Sequence, residues 1–137
     1  MAQDANLVLQ ASVTKTASFN SAWANLLGLS GAGGRALYAH VFYSAASNAS
    51  GSNTVTFSLD VSPDGGTTAY VGAFSGVDQA LTLSTTAQAG EISIPFDLLD
   101  KTLIAGATPA VRLVCTVAGA GTSPTVTYSG AVELGFN

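Results

Sequence analysis

The chain has 137 residues, a formal net charge of −4, 47% hydrophobic residues and only 9% Asp, Glu, Lys and Arg. One domain of this length buries about two-thirds of the surface its unfolded chain exposes, so it needs no metal or disulfide to hold a core. The basic residues Lys15, Arg35, Lys101 and Arg112 are scattered, which excludes a phosphate-tracking stripe, and no apolar run reaches the ~18 residues of a membrane-spanning helix.

Residues 7–12 and 13–19 predict a short opening strand and its continuation, and 25–29 is more apolar before the glycine-rich break at 31–34. Residues 37–44 predict a strand with Leu37, Ala39, Val41 and Tyr43 on one side and Tyr38, His40 and Phe42 on the other. Both sides are fairly apolar, as in a strand covered on two faces. A Ser/Asn/Gly loop at 46–53 leads to the clearest element, 54–62. Its odd positions are all apolar and its even positions all polar, the period of a half-buried strand. Pro63-Asp64-Gly65-Gly66 stops it: proline presets φ, aspartate bonds its own backbone, and glycine accepts φ > 0.

Residues 69–74 predict the hairpin partner. Two further strands follow at 80–85 and 90–96, with Leu81/Leu83 and Ile92/Ile94/Phe96 inward, and then a helical turn at 96–103. Pro109 precedes a strand at 110–117 whose inner face is Val111, Leu113, Cys115 and Val117. After a glycine-containing turn at 118–124, residues 125–134 close the chain with Val126, Tyr128, Val132 and Leu134 on one side. Eight or nine short strands between turns predict a single all-β domain over 1–137. The expected form is an antiparallel two-sheet sandwich of jelly-roll type, with a barrel as the other topology.

Reactive side chains are sparse. His40 is the only histidine, and on an apolar strand it reads as a hydrogen-bonded structural residue. No Gly-x-Ser-x-Gly elbow accompanies it. Cys115 falls in the apolar register of its strand, so it reads as a small buried hydrophobe, with Arg112 on the opposite face. One His and one Cys do not suggest a zinc site. Asp60, Asp64, Asp97 and Asp100 are the carboxylates a calcium site would draw on, although turn geometry alone accounts for Asp64. Neither glycine-rich piece runs into a helix with Lys-Ser/Thr, so phosphate cradling is a poor reading. No enzyme activity and no cofactor are expected. The aromatic residues Trp23, Tyr38, Tyr43, Tyr70 and Tyr128 are the candidates for a sugar-binding face. Among them Trp23, set between small polar residues, is expected to be exposed as an interface anchor.

About half of the chain is Ala, Gly, Ser or Thr. A surface of such residues can be covered by another protein with little ionic desolvation, so the composition favours assembly. The first six residues lack the basic and apolar regions of a signal peptide, so synthesis in a cytoplasm is expected.

Three stretches carry a resemblance that spans nearly the full chain: Asp4-Ala5-Asn6-Leu7-Val8-Leu9, the strand and turn from Thr54 to Gly66, and Val111-Arg112-Leu113-Val114 before Gly121-Thr122-Ser123-Pro124. The sequence resembles the small capsid cement proteins of short-tailed bacteriophages. That resemblance implies a jelly-roll domain, acting as a homodimer on the outer surface of a shell of HK97-type phage major capsid protein, with no catalytic residues. The candidate contact residues are Asp4, Asn6 and Leu7 in an extended N-terminal arm (residues 2–9), the anchor Trp23, and Arg35. A carbohydrate-binding module and a tail or head-completion protein are the competing readings.

Overall fold

The computed structural model describes residues 2–25, 37–75, 80–96 and 109–134. The break at 31–34, Arg35, Asp97, Asp100, Lys101 and the expected helical turn beyond Phe96 lie outside these residues. The described part is all-β: β1 (Ala2–Lys15), β2 (Phe19–Asn20), β3 (Ala24–Asn25), β4 (Leu37–Ser47), β5 (Asn53–Ser62), β6 (Tyr70–Ser75), β7 (Leu81–Thr82), β8 (Gln88–Phe96), β9 (Ala110–Gly119) and β10 (Thr125–Leu134). They form two antiparallel sheets. One has the order β1-β10-β4-β8; the other has β2-β9-β5-β6, with β3 also on β9 and β7 also on β5.

Ten strands replace the expected eight or nine, and the register shows why. Asn20 pairs with Val114 and Ala24 with Val111, so residues 21–23 oppose only residues 112 and 113 of β9. One extra residue bulges out and splits what would be a continuous edge strand into β2 and β3. Ser21 keeps the gap closed: its backbone N–H donates to Leu113 O, and its Oγ accepts from the Leu113 N–H, both at 2.9 Å. On the opposite edge of this sheet, β6 and β7 likewise take different lengths of β5.

β5 and β9 are the spine of the six-stranded sheet, in unbroken register from Asn53↔Gly119 to Ser62↔Ala110. The odd positions of β5 point inward as expected: Val55, Phe57, Leu59 and Val61 are no more than 1% exposed. They meet Ala39 and Val41 of β4, Ile92, Ile94 and Phe96 of β8, and Val126, Tyr128 and Val132 of β10 in one core. Each such aliphatic or aromatic side chain contributes roughly 1.5–3 kcal/mol by leaving water. Phe57 meets Tyr128 edge-on with ring centroids 5.1 Å apart. At Gly130 the sheets close further still, since a Cβ there would come within 2.7 Å of Leu113 Cδ2.

Three expectations change. Phe42 is 45% exposed, so β4 is covered on one face only: the four-stranded sheet stacks on a single partner, and its other face is open. β4 also runs to Ser47, because a register irregularity between Tyr43 and Ala46, with Ala45 at φ 50°, turns Ala46 into the core. Residues 2–9 are the first part of β1, an edge strand paired from Ala2↔Leu134 to Lys15↔Val126 with three register irregularities.

The loop 48–52 locks onto the turn after β9. Asn48 Nδ2 donates to Gly51 O and Asn53 Oδ1, and Asn53 Nδ2 donates to Ala118 O. Gly121 lies so close beneath this corner that a Cβ there would run into Asn53 Oδ1.

Candidate functional site: the two outer sheet faces

The even positions of β5 look outward from the six-stranded sheet. Thr54, Thr56 and Ser58 are half-buried and uncharged, beside Val114, Thr116 and Ala118 of β9. Asp60, the only ionisable group in this row of β5, is 1% exposed. It sits opposite Arg112 in the register, and Arg112 Nε donates to Asp60 Oδ2 at 2.8 Å. Its other oxygen accepts from the Gly72 N–H at 2.9 Å. The charges of Asp60 and Arg112 therefore neutralise each other within the chain.

Trp23 is part of the same arrangement. The bulge between β2 and β3 turns it onto this face, where the Arg112 guanidinium carbon lies 4.5 Å from the ring centroid. On its other flank it meets Gly66, at which a Cβ would lie 2.6 Å from Trp23 Cδ1. Trp23 is half-buried and braces the ion pair, rather than standing free as the sequence suggested. Lys15 is held in the same manner, with Nζ 3.6 Å from the Phe19 centroid. Both lysine and arginine side chains of the described residues thus lie on aromatic rings.

Gly66 is placed by the predicted turn. Ser62 Oγ accepts from the Gly66 N–H at 2.8 Å and donates to Asp64 Oδ1. The Thr68 N–H donates to the same Asp64 oxygen at 2.7 Å. This backbone donor, with the Thr68 and Ser62 side chains, holds the Asp64 carboxyl below the ordinary carboxylate range. Asp60 and Asp64 are thus committed to different partners. Among the described residues no three His, Cys, Asp or Glu side chains come together.

The open face of the four-stranded sheet is built around Phe42. His40 stacks on one side of its ring, with centroids 4.6 Å apart and planes 12° from parallel. His40 Nε2 lies 2.8 Å from Glu91 Oε2 on β8. Shallow hollows flank the ring. One of about 160 Å³ is lined by Val8, Ala11 and Ala131, and one of about 140 Å³ by Ser12, Ser44, Thr127 and Ser129.

The remaining sequence candidates do not gather. Asp4 and Asn6 lie on β1, and Leu7 packs half-buried against the core. Cys115 is buried, and desolvation pushes its thiol up to about 11. Burial likewise raises Tyr128, whose hydroxyl has no hydrogen-bond partner within ordinary geometry among the described residues. Sequence reasoning missed the Asp60–Arg112–Trp23 cluster. Its one legible sign was that Asp60 and Arg112, of opposite charge, both occupy outward positions of their strands. Comparisons with protein-family models, curated proteins and solved structures find no match.

Proposed function

We propose that the chain is a structural virion protein. In this reading it is a capsid cement protein that binds the outer surface of an HK97-type shell and stabilises it by bridging major capsid subunits. The observation that carries the reading is the outer face of the six-stranded sheet. It offers short uncharged side chains on a continuous β5–β9 ladder, and its one buried carboxylate is already paired with Arg112. A partner covering the β5–β9 ladder desolvates no unpaired ion there, and that is the main penalty of a polar interface.

The strand order supports the finer fold expectation. With β2/β3 counted as one interrupted strand and β6/β7 as another, eight strands divide between two sheets in the orders 1-8-3-6 and 2-7-4-5. Such an order is what the double Greek-key path of a jelly roll would give, and it supports that reading. The homodimer belongs to the same reading: two linked copies grip two sites, so modest affinity per copy suffices. Whatever binds only the assembled shell stabilises it by mass action, by about 2.7 kcal/mol per site at a hundredfold excess over Kd.

The test is thermal disruption of phage heads that lack the protein, with and without its addition. Added protein is expected to raise the disruption temperature and to saturate. The double substitution Thr56→Glu/Ser58→Glu, which puts charge on the face, is expected to abolish the rise. Equal fragility with and without the native protein removes the reading.

A further inference from the structure

We propose that the slot beside Phe42, on the sheet face opposite the one assigned to the shell, binds a neutral sugar ring. His40 covers one side of the Phe42 ring, and the stack runs along β4, so the uncovered side of the ring faces Ser44. There it forms one wall of the 140 Å³ slot. The rest of the lining is Tyr43 and Tyr128 together with the hydroxyl-bearing Ser12, Ser44, Thr127 and Ser129. Thr127 Oγ1 is engaged with Thr14 Oγ1 at 2.8 Å, whereas the Ser12, Ser44 and Ser129 hydroxyls have no hydrogen-bond partner among the described residues.

A bare aromatic face ringed by unengaged hydroxyls matches a pyranose on two counts. The C–H face of the sugar lies on the ring, and each serine can donate to or accept from a sugar hydroxyl. Charge narrows the class further. No Asp, Glu, Lys or Arg lines the slot. An anionic sugar would find no cation there to offset the desolvation of its carboxylate. A single ring in a shallow site gives millimolar affinity, since small ligands gain little per atom against the cost of association. On a particle carrying many copies, avidity of ~10²–10⁴ makes such a site effective; only this last step rests on the shell reading.

The experiment is a two-dimensional amide NMR titration of the isolated chain with methyl glycosides of glucose, galactose and N-acetylglucosamine, and with glucuronate. At least one neutral glycoside is expected to give saturable shifts centred on Ser12, Ser44, Thr127 and Ser129. Glucuronate is expected to bind several-fold more weakly. Phe42 is exposed, so Phe42→Ala should fold normally and weaken binding about tenfold, the share of one aromatic contact, while Phe42→Trp should retain it. Absence of shifts with every neutral glycoside, or equal binding of glucuronate, overturns the proposal. So do slot shifts that follow protein concentration without sugar, since these would mean that a second copy fills the slot. None of these outcomes touches the heat-disruption test of shell binding.

Discussion

Asp60 and Arg112 show how much a single cross-strand pair can demand. Removing the cation leaves a carboxylate that is 1% exposed with only the Gly72 N–H to meet it. Arg112→Met is therefore expected to cost about 3 kcal/mol, more than its lost packing on Trp23, measured as a shift in the urea midpoint. Cys115 makes a prediction of the opposite kind. Its thiol titrates at about 11 when folded, against an ordinary 9.0, so the folded state holds this proton more tightly than the unfolded one. The resulting stability is fully present below pH 9 and is lost as pH rises through 11. It amounts to at most about 3 kcal/mol. Unfolding free energies at pH 8 and pH 10.5 should show this alkaline loss, and it should shrink in Cys115→Ala. Burial of Cys115 was legible from its register. The pairing of Asp60 was not, because which strand lies beside β5 is a tertiary fact.

The elements were legible where period-2 alternation met strong turn formers. β5, its hairpin turn, β8, β9 and β10 all fall where alternation and glycine or proline place them, because each buries one face and its ends need φ values that few residues adopt. The edge strands were harder. Their pairing partners set the bulges, and a bulge leaves no compositional mark. The segment around Trp23 illustrates this: small polar neighbours suggested exposure, yet one inserted residue folds the ring onto Arg112. Gly66 completes that packing at φ 112° with no room for a Cβ beside Trp23. Gly66→Ala is expected to destabilise by about 2 kcal/mol or more, from backbone strain and the clash together. In a Trp23→Ala background the clash component disappears, so a double-mutant cycle by chemical denaturation should give a coupling of about 1 kcal/mol.

At the scale of the whole molecule, two sheets leave two outward faces of different character. One has a β5–β9 ladder whose only charges, Asp60 and Arg112, are paired. The other carries an exposed ring, stacked on His40 and bordered by two shallow hollows. Composition pointed to the first but not to the second, since a Tyr-His-Phe row reads equally well as core until it is known that only one sheet stacks against it.

The pairing of Ala2 with Leu134 has a consequence for folding rate. It joins nearly the two extremes of the chain, so β1 can add to the sheet only after the longest loop in the molecule has closed, and that entropy is a barrier before it is repaid. A circular permutant that links the two ends by a short glycine-serine bridge and opens in the exposed stretch at 122–123 turns β10 and β1 into a local hairpin. Stopped-flow refolding of that permutant should be faster than that of the native chain, with unfolding little changed.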